Sequence, residues 1–159
     1  MPERHFLYTA PQMIKGLLGS EGFEVQARLE GDVLKGRIGG ALMAREINLT
    51  LTDTGVRGTL GGAGGLAVSL TLQNGELSGA IGADAVTLRG VDQISGSLGA
   101  GIAAVSLRAA QREDKLEGRI GSVNGKSFSV ALDGVPGWIG ALLMLSAYCA
   151  LERAPSVAS

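Results

Sequence analysis

The sequence predicts an all-β fold: an antiparallel meander of about 11–12 short strands that closes into a barrel around an apolar C-terminal helix. Three observations lead to this prediction. A strand motif with a central glycine recurs along the chain, Asn-Gly pairs separate alternating runs, and the final long segment is apolar on every side. With 159 residues, 45% of them hydrophobic, the chain is long enough for one domain with a substantial core.

The first 22 residues are interpreted as a lead-in. Thr9 as an N-cap and Pro11 in the first turn are typical of a helix start, so a short helix from Gln12 to Leu18 is predicted, ended by Gly19. The N-terminus lacks the basic, apolar and small-residue order of a signal peptide. A cytoplasmic protein is therefore expected, either free or peripheral to the membrane.

Strand-like alternation begins at Phe23, and a motif then recurs in which a glycine lies between two apolar residues at i−2 and i+2. The first copy is Leu34-Lys35-Gly36-Arg37-Ile38, followed by a second glycine, Gly39. Plain alternating strands lie between the copies. The strand pair repeats six times from Phe23, which gives eleven or twelve strands, because residues 135–139 are either a last strand or the start of the helix. The central glycines are Gly36, Gly58, Gly79, Gly96, Gly118 and Gly137.

The connections predict that successive strands are antiparallel. Asn74-Gly75 and Asn124-Gly125 lie between alternating runs, and Asn-Gly favours the type I′ turn of a two-residue hairpin. One pair follows a plain strand and the other follows a glycine strand. Both kinds of connection are therefore hairpins.

Glycine inside a strand destabilises it, so its repetition indicates a bulge, a bend or the close approach of another element. The central glycines fall on the apolar face of each strand, where they are expected to leave room for the helix at 138–152.

That helix is apolar on every side and must be buried in protein or in lipid. Burial inside the barrel is the first hypothesis, and a tail that dips into a membrane or binds a partner is the second. The helix residues expected to fill the barrel are Trp138, Leu142, Leu145 and Tyr148. The domain is assigned to 23–153 and a tail to 154–159.

In element order, residues 23–153 resemble the Tubby-like superfamily, which includes the phospholipid scramblases. This resemblance implies association with membranes or phosphoinositides. The segment Leu77-x-Gly79-x-Ile81 and its neighbours are also similar to the coil repeat of bactofilins, which implies a polymerising β-solenoid. The central glycines are spaced by 22, 21, 17, 22 and 19 residues. Such uneven spacing favours the barrel, because a solenoid needs a near-constant period.

The residues that could act in catalysis or bind a metal do not form a recognisable catalytic or metal site in the sequence. His5 is the only histidine, and Cys149, the only cysteine, lies in the apolar helix. The glycine-rich segment 58–65 lacks the Lys-Ser/Thr ending of a phosphate-binding loop. Aspartates such as Asp53, Asp84, Asp92, Asp114 and Asp133 fall mostly at strand ends, where this residue favours turns. We therefore expect no enzyme activity and no cofactor.

The predicted function is a non-enzymatic binding module that contacts a membrane lipid or a partner protein through the loops at the barrel rim. A formal net charge of −1 is unlike the basic footprint of a nucleic-acid-binding protein. Two alternatives remain open. One is a self-assembling structural protein, which would be a homo-oligomer, filament or array. The other is a carrier of a hydrophobic ligand.

Overall fold

The computed structural model describes residues 11–19, 22–39, 45–61, 65–90, 92–99, 104–121 and 125–152. These residues form twelve strands and one helix. The elements are β1 (Gln12–Leu18), β2 (Phe23–Glu30), β3 (Val33–Ile38), β4 (Arg45–Thr52), β5 (Gly55–Leu60), β6 (Leu66–Gln73), β7 (Glu76–Ile81), β8 (Asp84–Gly90), β9 (Gln93–Leu98), β10 (Val105–Arg112), β11 (Lys115–Ile120), β12 (Lys126–Ala131) and α1 (Gly137–Glu152). Every strand pairs antiparallel with its neighbours in sequence, and β1 pairs with β12 to close the barrel. The predicted fold class is confirmed.

The N-terminal prediction was wrong. Residues 12–18 form a strand, not a helix, and this strand pairs on one side with β2 and on the other with β12. Ile14 and Leu18 are fully buried between those partners, so strand pairing overrides the local cap signals. The barrel domain therefore begins at Gln12, and Thr9, the predicted N-cap, lies outside the described residues.

The true sixth copy of the glycine motif lies in β1. Ile14-Lys15-Gly16-Leu17-Leu18, followed by Gly19, has the two inward apolar residues and both glycines of the first predicted copy, but Leu17 stands where that copy has Arg37. Gly137, assigned as the sixth copy, instead begins α1, where the Ile139 N–H donates to the Pro136 carbonyl at 3.0 Å. Residues 135–139 are thus the approach to the helix and its first turn. The six glycine strands are β1, β3, β5, β7, β9 and β11.

The central glycines allow neighbouring strands to approach closely. A Cβ added to Gly36 would lie 2.7 Å from Cβ and 2.8 Å from Cα of Ala27, its partner on β2. At all six positions the nearest atom is a backbone carbonyl oxygen of the paired strand, and a helix atom, Met144 Sδ, is among the three nearest only at Gly16. The closest contacts are thus with the paired strand, whereas the sequence predicted that these glycines make room for the helix. They let the paired strands approach each other closely.

The second glycine of the motif ends each glycine strand in a left-handed conformation. Gly39 has φ +119°, and its N–H donates to the Glu24 carbonyl at 3.0 Å. Equivalent bonds recur at the end of every glycine strand, between 2.7 and 3.0 Å. Their donors are Gly19, Gly39, Gly61, Gly82, Gly99 and Gly121, all with positive φ. Because other residues adopt this conformation only at a cost, the motif needs both of its glycines.

The helix lies inside the barrel. Residues 139–147 are all buried, Leu142 and Leu145 among them, whereas Trp138 and Tyr148 near the two helix ends are half-buried. The helix contacts strands on all sides, including β1, β4, β8 and β11. We call the end where it begins the start rim, formed by the turns at 31–32, 53–54, 74–75, 113–114 and 133–134 and by Asp92 before β9. One of these is the predicted Asn74-Gly75 turn, with φ of 55° and 78°; Asn124 lies outside the described residues.

Candidate binding surface on the barrel wall

The barrel axis is occupied by protein. Cys149 is buried, and Ser146 Oγ is buried without a hydrogen-bond partner. Within the described part of the chain, no three His, Cys, Asp or Glu side chains are grouped so as to hold a metal ion. The surfaces that a ligand can reach are therefore the outer wall and the rims.

Charge is distributed unevenly around the outer wall. On the strands from β10 through β12 and β1 to β3, exposed outward basic residues outnumber acidic ones eight to three. On β4–β9 the exposed outward charges are Arg57, Arg89 and Glu46, with Glu76 half-buried, and the other outward residues are mostly Ser, Thr and Ala. We call the first half the basic wall. Its basic residues are Lys15, Arg28, Lys35, Arg37, Arg108, Arg112, Lys115 and Arg119, and its acidic residues are Glu24, Glu30 and Glu117.

Like charges lie directly opposite each other at three places on this wall. Arg28 pairs with Lys35 across β2 and β3. On the β10–β11 hairpin, Arg108 pairs with Arg119 and Arg112 with Lys115, as the register shows. Cross-strand pairs of like charge destabilise a sheet. These three pairs therefore lower the stability of the sheet while they add positive charge to the wall.

Exposed ion pairs offset only part of that charge. Lys115 Nζ lies 3.3 Å from Glu117 Oε2, and Arg28 Nη2 lies 3.9 Å from Glu30 Oε1, with all four side chains more than half exposed. Exposed pairs of this kind contribute little to stability.

An apolar ridge runs along the middle of the basic wall. Met13 and Leu17, both outward on β1, are 42% and 50% exposed, and Lys15 lies between them. The adjacent strand β12 presents only small outward side chains, which are Ser127, Ser129 and Ala131. The two apolar side chains therefore rise above the neighbouring strand instead of packing against it.

A groove of about 820 Å³ lies beside the ridge, over β2 to β4. Arg28, Lys35 and Arg37 contribute its basic side chains, and Glu30 and Glu46 its acidic ones. Met13 also lines the groove, so the groove and the ridge form one continuous surface. Such a surface offers an anionic group several cationic donors next to an apolar contact.

The structural residues predicted from sequence lie away from this wall. Gly36, Gly58, Gly79, Gly96 and Gly118 lie on the inner side of the glycine strands, while Leu142 and Leu145 lie on the barrel axis. Gly137 and Trp138 begin the helix at the start rim, and Tyr148 lies near its other end. Met13 and Leu17 were missed because β1 was assigned as a helix. The copy of the glycine motif around Gly16 is the signal that could have found them.

Comparisons of the chain with protein-family models, curated proteins and solved structures find no match. Among the described residues, no helix has both the length and the apolar character required to cross a bilayer.

Proposed function

We propose that the protein is a non-enzymatic binding module that docks its basic wall on an anionic lipid membrane. The observation that carries this proposal is the pair Met13 and Leu17, exposed at the centre of the basic half. Lys15 lies between the two apolar side chains and Arg28 lies opposite Met13, while Glu24 lies opposite Leu17. Apolar side chains within a wall of net positive charge match the two components of a peripheral site, which are burial at the headgroup boundary and attraction to anionic lipid.

The order of strands around the barrel suits contact with a flat surface. A plane touches a barrel along one line, so a contact at β1 brings β12 and β2 next to the membrane, with β11 and β3 further back. The small side chains of β12 permit this approach, and long basic side chains can reach past it. Those nearest are Lys15, Arg28, Lys35, Arg37, Lys115 and Arg119.

The expected free energy of binding to an anionic membrane is moderate. A basic residue near an anionic leaflet contributes about 1 kcal/mol, so five or six of them give roughly 5–6 kcal/mol before the acidic neighbours Glu24, Glu30 and Glu117 are considered. Because salt screens exposed charges over about 10 Å at 0.1 M, binding should weaken strongly as ionic strength rises. Met13 and Leu17 should add a component that salt does not remove.

Vesicle flotation tests the proposal. The full chain should float with phosphatidylcholine vesicles that contain phosphatidylserine, should not float with phosphatidylcholine alone, and should be released by high salt. Leu17→Glu and Arg37→Glu should each lose most of the flotation. Arg89→Glu makes the same charge reversal on β8, outside the basic wall, and should retain it. Failure to float with any anionic vesicle, or equal losses from Arg89→Glu and Arg37→Glu, would overturn the proposal.

Self-assembly is the second candidate, and it is favoured by the neutral half of the wall. The outward side chains of β6–β9 are mostly Ser, Thr and Ala, and Thr87 and Ser97 hydrogen-bond to each other at 2.8 Å across β8 and β9. A surface of short, neutral side chains allows a second copy to approach closely. Electron microscopy at high protein concentration should then show filaments or arrays, and dispersed particles would exclude them.

A further inference from the structure

A cleft opens at the start rim, on the side away from Gly137. A Cβ added to Gly137 would lie 3.3 Å from Ile94 Cδ1 on β9, with Gln111 of β10 closer still. The helix therefore begins against β9 and β10, and a cleft of about 370 Å³ is left on the opposite side. It is lined by Asp32, Leu51, Thr52, Asp53, Gly55, Val56, Leu72, Leu77 and Trp138.

The floor of this cleft is apolar and incompletely covered. Leu72 occupies an inward position on β6, yet 39% of it is exposed, and Leu51 and Trp138 are half-buried. At the equivalent rim positions of β8 and β10 the chain has Gly90 and Gln111 instead of leucine. Incompletely buried apolar side chains thus line the cleft on the side of the rim away from Gly137.

The edge of the cleft is acidic. Asp32 and Asp53 line it directly, and Glu30 and Glu76 lie at the ends of adjoining strands. Arg57 lies near it on β5, but its Nη1 donates to the carbonyls of Val56 and Leu70, at 3.0 and 2.8 Å. Its guanidinium keeps its positive charge but does not line the cleft, whose charged lining residues are Asp32 and Asp53.

We propose that this cleft binds a partner polypeptide through an apolar side chain flanked by lysine or arginine. The volume suits one or two side chains and lies at the low end for ligand sites. Leu51, Leu72 and the Trp138 ring would cover the apolar group, while Asp32 and Asp53 would pair with the flanking cations. A cation over the Trp138 ring would gain a further interaction. This site lies on the rim and does not depend on the membrane role proposed for the wall.

Intrinsic fluorescence provides a direct test, since Trp138 is the only tryptophan. The probe is the peptide acetyl-Lys-Lys-Leu-Leu-Lys-Lys-amide, titrated into the full chain at low salt. A saturable change in Trp138 emission is expected, with no such change from the matched peptide in which glutamate replaces every lysine. Asp32→Asn and Asp53→Asn should each weaken binding by about two- to fivefold, the range for an exposed ion pair.

Asp92→Asn is the matched control, because Asp92 lies in the β8–β9 turn of the same rim but does not line the cleft. It should bind the basic peptide as the wild type does. The proposal is overturned if emission does not saturate with the basic peptide, if the acidic peptide binds equally, or if Asp92→Asn weakens binding as much as Asp53→Asn. A shift of Trp138 emission on phosphatidylserine vesicles without peptide would assign the cleft to lipid and would also overturn it.

Discussion

Replacing Gly36 by alanine should destabilise the barrel by about 2–4 kcal/mol. The new Cβ would lie 2.7 Å from Cβ and 2.8 Å from Cα of Ala27, whereas carbon atoms in contact lie about 3.5–4.0 Å apart. Strands β2 and β3 must therefore separate by about 1 Å at this position. Overpacking of this kind costs about 1–3 kcal/mol, and each lengthened ladder hydrogen bond adds up to about 1 kcal/mol. Alanine also reduces the conformational entropy of the unfolded chain, and this offsets only about 0.4–1 kcal/mol of the destabilisation.

Thermal melts followed by circular dichroism would measure this loss as a fall in Tm of roughly 5–15 °C, at about 2–4 °C per kcal/mol for a chain of this size. Two variants serve as controls. Lys35→Ala changes the preceding residue, on the outer face, and should leave the Tm unchanged or slightly higher, because it also removes the like-charge pair with Arg28. Gly16→Ala should be milder, because its new Cβ meets Ser129 O at 2.8 Å and the flexible Met144 Sδ at 3.2 Å. If Gly36→Ala melts at or above the wild-type temperature, the close approach of strands is not why the glycine is there.

Three further predictions concern the helix and the barrel closure. Leu142→Ala removes a fully buried side chain from the barrel axis and should lower the free energy of unfolding by about 2–5 kcal/mol in urea titrations. Ser146→Ala should leave that free energy equal or raise it, because Ser146 Oγ is buried without a hydrogen-bond partner; a clear loss would reveal a partner. Asp133→Ala should cost about 1–3 kcal/mol, since Asp133 Oδ2 accepts the Met13 N–H at 3.0 Å and its φ is +53°. Asp133→Asn should cost less, because asparagine keeps a side-chain acceptor and tolerates that φ.

The overall fold could be predicted because its signals are local and repeated. The pattern of apolar residues on each side of the glycine, such as Leu34 and Ile38 around Gly36, predicts the inward face of each glycine strand, and in all six strands both of these apolar residues are buried. The helix at 138–152, predicted from its uniformly apolar sequence, begins only one residue earlier. Repetition compensates for the weakness of each single pattern.

The first strand could not be recognised from its local pattern, because its identity depends on distant partners. Lys15 pairs with Ala131, more than 110 residues away, and that pairing closes the barrel. Thr9 and Pro11 gave a cap signal that pairing on both sides outweighs. Comparison with the other motif copies, rather than local periodicity, would have identified Ile14-x-Gly16-x-Leu18 as a strand.

The basic wall is also a product of closure. Lys35 and Arg37 lie more than 70 residues from Arg108 and Arg119 in the chain, and in the sequence they are mixed with acidic residues. They come to the same half of the exterior only because β1 joins β2 to β12. The sequence therefore predicted a binding module that acts through its rim loops and did not indicate the basic wall.

Site-specific labelling would test most directly whether the basic wall meets the membrane. Cys149 is buried, so an environment-sensitive fluorophore can be attached selectively to Leu17→Cys on the ridge, or to Ala85→Cys on β8 at the neutral half of the wall. On vesicles containing phosphatidylserine, the fluorescence emission of the label at position 17 should shift to shorter wavelength, and that label should become inaccessible to an aqueous quencher. The label at position 85 should stay accessible. Equal responses at both positions, or no response at position 17 when the protein is bound, would contradict the proposed orientation.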